Sequence, residues 1–283
     1  MFLPALSIQA HHWKKRRALA MGIVLTGSSF GGIIHPIMHN QLFHGKTGFP
    51  WGVRASAFLI LGLLVIANCL MTTRLPPRQG PKPNFGAIFR DVPYMIASLA
   101  VFFVLWGLYF PYFYLQLFVD LHGLSRTLAF YTLAIMNAAS VFGRTIPNLL
   151  ADHFGKFNIF VPICFMTGVL IWAMFGIANT AGVIVFSILY GFASGAFVSL
   201  VPPTMATLAP DITQIGIYMG VGFFLTSFAN LTGTPISGAL LGDNTHATWF
   251  KPIIFSGVTI LVGTVAMVIC RAMVVKRRGT QFV

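Results

Sequence analysis

Arg144 is the residue best suited to chemistry in this sequence, because it stands inside a long apolar stretch, LAFYTLAIMNAASVFGRTIPNLL. A charged side chain within a lipid-spanning helix is expensive and normally faces a cavity or a partner. At about 100° per residue, Asn137, Ser140, Arg144 and Asn148 fall on one side of such a helix. A guanidinium there offers fixed, paired donors to the carboxylate of an anionic solute. The competing reading is that Arg144 anchors the adjoining loop by pairing with Asp152 or a helix end. A second polar stripe, Ser227, Asn230 and Thr234, runs close to Gly233, Pro235 and Gly238. It suits either a solute pathway or hydrogen bonds between helices. Trp106, Tyr109, Tyr112 and Gln116 suit a solute-facing surface or an aromatic belt at the membrane interface. His35, before Pro36, reads as a titrating group or as a hydrogen-bonded structural residue.

Other chemistries are excluded. The acidic side chains number five, all Asp, and Asp91, Asp120, Asp152, Asp211 and Asp243 all fall at expected helix ends or loops. Paired carboxylates, metal-ligand clusters and a Ser-His-Asp arrangement are not visible, so neither an enzyme site nor a metal or cofactor is expected. Cys69, Cys164 and Cys270 lie in apolar segments without metal or disulfide spacing and read as packing residues. The net charge of +13 does not imply nucleic acid, because Lys and Arg punctuate apolar segments instead of gathering on one solvated face.

The elements that must position these residues are membrane helices. Hydrophobic residues make up 57% of the chain and charged ones 8%, against roughly 25% charged in soluble domains. The expected fold is an all-α, polytopic bundle of about eight transmembrane helices: 18–42, 51–71, 93–119, 128–150, 158–178, 182–202, 215–241 and 252–273. Each exceeds the length needed to cross about 30 Å of hydrocarbon. Fourteen of the 18 Lys and Arg residues, counting Arg144 in the inner part of its span, fall on the side of one alternate set of connections. The other set holds only Lys46, Arg54, Arg126 and Lys251, which places both ends of this chain in the cytoplasm. The stretch PPRQGPKPN disfavours helix and reads as a linker dividing the bundle two plus six. Gly27 with Gly31, and Gly191 with Gly195, are small-xxx-small pairs that let backbones approach closely.

Three segments in order, KKRRALAMGIVLTGSSFGG, NAASVFGRTIPNLLADHFGKFN and GFASGAFVSLVPP followed by LTGTPISGALLG, resemble the monocarboxylate-porter-like branch of the major facilitator superfamily, in its fungal form. The resemblance implies that the spans are that family's helices five to twelve. On that reading 1–72 is a remnant of the N-terminal half, from the end of helix four through helices five and six. Residues 73–92 are the cytoplasmic linker, 93–273 the C-terminal six-helix half, and 274–283 a basic cytoplasmic tail. Most of the N-terminal half would be missing. The implied function is secondary transport of a small organic, anionic solute, a monocarboxylate-like compound or secondary metabolite, by alternating access at the plasma membrane. Arg144, Asn137, Tyr109, Tyr112 and Asn230 would meet solute. Gly143, Asp152, Gly155 and Lys156 would form a loop that latches the conformation. Protons are the implied coupling ion, but Ser140 stands where those carriers place an acid one turn before the arginine. The alternative is a truncated, non-transporting membrane protein or partner subunit of a full-length carrier. The partners expected are lipid and solute, with no expectation about oligomeric state.

Overall fold

A computed structural model describes residues 2–13, 15–72, 85–242 and 248–283. All regular structure in them is helical: α1 Phe2–His12, α2 Arg17–His44, α3 Gly48–Leu70, α4 Phe85–Arg90, α5 Val92–Leu108, α6 Phe110–Leu121, α7 Arg126–Phe154, α8 Lys156–Ala173, α9 Thr180–Leu208, α10 Ile215–Leu241 and α11 Phe250–Arg278. Seven helical stretches among the described residues are long and apolar enough to cross a membrane. The eighth expected span lies within α7, which is 29 residues long but diluted by Asn137, Arg144 and Asn148. The expected linker motif, PPRQGPKPN, and Asp243 lie outside the described residues.

The span expected as continuous over 93–119 is broken at Tyr109 into α5 and α6. Pro111 is the cause, since a proline lacks the N–H that would continue the ladder. The Tyr190 hydroxyl donates to the Leu108 carbonyl at 2.6 Å, supplying a partner beside the break.

The surface is inverted relative to that of a soluble protein. Large apolar side chains such as Phe58, Leu61, Phe113, Phe142, Phe224 and Leu231 are exposed, while Ser140, Asn148, Ser199 and Thr204 are wholly buried. That distribution suits a hydrocarbon solvent and would be an aggregation liability in water.

Helix α7 is central, packed between α2 and α9, while α5 packs on α11. Gly191 and Gly195 of α9 lie against the α7 backbone at Met136 and Ser140, and Gly143 of α7 lies against the backbone of Phe192. This seam bears out the pattern read at Gly191 and Gly195. The pattern at Gly27 and Gly31 is corrected: a side chain at Gly27 would meet nothing, and one at Gly31 would meet only His35. The close approach of α2 to α7 is made by Gly22 against the Arg144 carbonyl and Asn148, and by Gly32 against Asn137. Cys164 and Cys270 are buried as expected, but Cys69 is exposed, because α3 buries only Gly52 and Ser56 and packs chiefly on α2.

Between α7 and α8 the chain turns at Gly155, with φ of 98°. A β-carbon there would run into the backbone of Val283, whose carbonyl accepts from the Phe157 N–H at 3.0 Å. Asn158 donates to the Gln281 carbonyl at 2.7 Å and accepts from Arg271 Nε at 2.6 Å. Gly155→Ala is therefore expected to destabilise by about 1–3 kcal/mol, from the left-handed backbone and the displaced tail together. A thermal melt in detergent checks this, and a melting temperature equal to that of the parent protein contradicts it.

A buried guanidinium between two helices

The Arg144 side chain is buried and points across the α2–α7 contact. Its Nη1 donates to the Leu25 carbonyl at 2.6 Å and to Ser28 Oγ at 2.5 Å. It does not pair with Asp152, as the structural reading of the sequence would have it. Its Nε is buried without a partner, and every hydrogen bond Arg144 makes among the described residues runs through Nη1. The Nε–Nη2 edge, the fork that matches a carboxylate side-on, is therefore unused.

The polar stripe on α7 continues this contact. Ser140 shares a hydrogen bond with Ser29 of α2 at 2.7 Å, so the position where an acid would stand in the resembled carriers is a buried hydroxyl pair. Asn137 donates to the Leu133 carbonyl at 2.9 Å and, more weakly, to the Gly32 carbonyl at 3.5 Å. Asn148 donates to Ser199 of α9 at 2.7 Å and to the Arg144 carbonyl at 2.8 Å. One stripe thus ties α7 to α2 on one flank and to α9 on the other.

Tyr109 and Tyr112, set just at and after the α5–α6 break, lie within electrostatic reach of Arg144. The Tyr112 hydroxyl bonds Ser194 of α9 at 3.1 Å, and the two rings stand 6.0 Å apart. The structure thus brings Tyr109 and Tyr112 near Arg144, while Asn137, two turns away on α7, is engaged with Leu133 and Gly32. Asn230 is not gathered with them. It is exposed on α10 and makes no hydrogen bond among the described residues, because the buried stripe of that helix runs through Thr226, Ala229 and Gly233. Trp106 is engaged elsewhere, donating to Thr232 at 2.9 Å. His35 bonds Ser56 at 3.3 Å and stacks with His39 at 5.9 Å.

Sequence reasoning missed the α2 partners Leu25, Ser28 and Ser29. The adjacent serines in LTGSSFGG were the available signal, since paired hydroxyls in an apolar helix need polar partners.

The loop group separates in space. Gly143 lies within α7, in the seam with α9, and not in a loop. Asp152 is in the last turn of α7, and its two carboxylate oxygens accept from the backbone N–H groups of Ala18 at 3.0 Å and Leu19 at 2.9 Å. These are orphan donors of the first turn of α2, which has no capping side chain of its own. The carboxylate satisfies them and complements the positive helix end. Lys156 lies within electrostatic reach of Asp152. Asp152→Ala is expected to remove about 1–2 kcal/mol and to speed amide hydrogen exchange at Ala18 and Leu19. Unchanged exchange at those two amides would contradict the cap.

These features define a multi-pass membrane helix bundle with a buried cation at a helix–helix contact. Residues 1–234 match the Major Facilitator Superfamily, and the chain belongs to that family of membrane transporters. It is 40% identical over 262 residues to the aspyridones efflux protein apdF of Emericella nidulans, covering 93% of this chain and 53% of that protein. It is 39% identical to the MFS-type transporter dbaD of the same species, covering 96% of this chain and 61% of that one. It is 38% identical to the fujikurins efflux protein of Gibberella fujikuroi, covering 98% of this chain and 60% of that one. The chain thus spans between about half and three fifths of the length of these relatives.

Proposed function

We propose that this chain serves the export of a small, anionic organic solute of secondary metabolism, in a carrier of the monocarboxylate-porter-like branch working by alternating access. The observation that carries the reading is the unused Nε–Nη2 edge of Arg144. A buried guanidinium with a free fork is an incomplete contact, and a solute carboxylate completes it. Tyr109 and Tyr112 stand near the same charge, Asn137 lies two turns along the same helix, and the three would orient the rest of the solute. Export, as opposed to import, is supported by relatives named as efflux proteins for aspyridones and fujikurins.

In this reading α2 belongs to the N-terminal half of the carrier and α7 to the C-terminal half, so contacts between them report its state. Asp152 on the α2 N-terminus, with Gly155 and Lys156 beside it, closes the cytoplasmic side. Opening there means releasing two backbone N–H groups to water, a modest change suited to a reversible latch. Both ends of the chain then lie in the cytoplasm, in the plasma membrane. Arg144 bonds α2 through Nη1, so a solute that draws the guanidinium toward itself also loosens the α2–α7 contact.

The test is flux. Purified protein reconstituted in proteoliposomes is expected to release preloaded labelled lactate or an aspyridone faster than empty vesicles. Release no faster than from empty vesicles for both probes would overturn the proposal and favour a non-transporting partner role.

A further inference from the structure

Away from the Arg144 contact, at the end of the bundle where α11 finishes, an open recess of about 770 Å³ is lined by Gly86, Arg90, Asp91, Pro93, Tyr218 and Arg277. The Arg277 Nη1 meets both Asp91 carboxylate oxygens, at 3.1 and 3.3 Å. The Arg277 side chain is nevertheless 57% exposed, and its other nitrogens make no hydrogen bond among the described residues. Arg90 is exposed and makes no hydrogen bond among them either. Lys276 and Arg278 share the last turn of α11 with Arg277. Arg278 is turned to the Thr207 carbonyl, so within the recess one carboxylate stands against two guanidiniums, and Arg90 is the cation to spare.

The helix that gives Gly86 and Arg90 to the recess also carries bare apolar side chains. Helix α4 is pinned by buried Ile88, yet Phe85 and Phe89, one helical turn apart, are 52% and 49% exposed. Val92, at the start of α5, is 52% exposed. Bare phenyl rings on the same helix as the unpaired Arg90 do not suit a purely soluble anion, which would use the guanidiniums and leave the rings wet. They suit a molecule with an anionic head and hydrocarbon tails. Basic recesses between transmembrane helices on the cytoplasmic side are suited to anionic lipid headgroups, through charge and bidentate guanidinium–phosphate bonding.

We infer that the recess between α4, the start of α5 and the end of α11 binds the phosphorylated headgroup of an anionic phospholipid of the inner leaflet, held by Arg90 and Arg277 with its chains against Phe85 and Phe89. Assignment to the inner leaflet rests on the sidedness proposed above, but binding measured in detergent depends neither on sidedness nor on flux. Its failure is therefore separable from failure of the transport reading.

The experiment is native mass spectrometry of the purified chain titrated with phosphatidylinositol 4-phosphate, with phosphatidylcholine of the same acyl chains, and with the free headgroup inositol 1,4-bisphosphate. The anionic lipid is expected to be retained over phosphatidylcholine. Arg90→Gln should lower that retention about fivefold, and Arg90→Gln with Arg277→Gln should lower it further. Arg126→Gln, a charge at the other end of the bundle, should leave it unchanged. Arg90 makes no contact that folding needs, so its single substitution remains readable even if the double variant fails to fold. Equal retention of the two lipids, full retention by Arg90→Gln, or an equal loss in Arg126→Gln would each overturn the assignment. So would binding of the free headgroup as tight as that of the lipid, which would make the site one for soluble phosphates.

Discussion

Arg144→Ala is expected to reduce flux of an anionic solute on the order of a hundredfold, while leaving the folded bundle intact. The size follows from removing one member of a buried charge-assisted pair, which costs about 2–5 kcal/mol in binding. The bundle survives because the Leu25 carbonyl and Ser28 Oγ, which accept from Nη1 in the parent protein, find other partners within their own helix. The Arg144→Lys variant separates charge from geometry. An ammonium can replace the Nη1 bonds to α2 but cannot offer a second, parallel pair of donors to a carboxylate, so flux should recover little. The measurement is initial rate of release from proteoliposomes, matched for protein content, with melting temperature recorded alongside. Wild-type flux in Arg144→Ala would remove the residue from the solute path. Full recovery by lysine would reduce its role to that of a point charge.

The second large effect is structural. Gly191→Leu is expected to prevent stable packing of α9 on α7, because a β-carbon at Gly191 already overlaps the backbone of Met136. Backbone cannot yield as a flexible side chain does, so the helices must separate and the seam opens along its length. Overpacking typically costs about 1–3 kcal/mol where neighbours relax, and here the neighbour is main chain on the most extensive helix contact of the bundle. Separation also strains the Asn148–Ser199 bond at 2.7 Å. The expected readout is a monodisperse detergent peak replaced by aggregate in size-exclusion chromatography, with Gly27→Leu, facing open space, behaving as the parent. A monodisperse Gly191→Leu protein with an unaltered melt would refute the seam.

How much of this is legible in the sequence depends on which link is considered. Spans are readable because lipid forces long apolar helices, and α10 runs over the residues expected, Ile215–Leu241. The Arg144 stripe is readable because 3.6-residue periodicity places residues on a face without reference to any partner. The identity of the partner is not. Whether Arg144 reaches Asp152 or Leu25 depends on how α2 docks, and the glycines that set that docking, Gly22 and Gly32, look no different in sequence from Gly27 and Gly31. Likewise, Asn230 has the right type and spacing, but burial on α10 follows the neighbouring stripe. Asp152 stands close in sequence to Gly155, which turns the chain, but its contact with the start of α2, more than a hundred residues earlier, has no local signature.

Helix α3, among the described residues, packs chiefly on α2. Its 23 residues make a rod of about 35 Å, a few ångströms longer than an average hydrocarbon slab of about 30 Å. A helix longer than the slab inclines to match it, and thicker, sterol-rich bilayers should bring α3 upright. This hairpin partner would then act as a gauge of membrane thickness, pulling on the outer end of α2 through the Phe43–Phe49 ring contact at 4.9 Å.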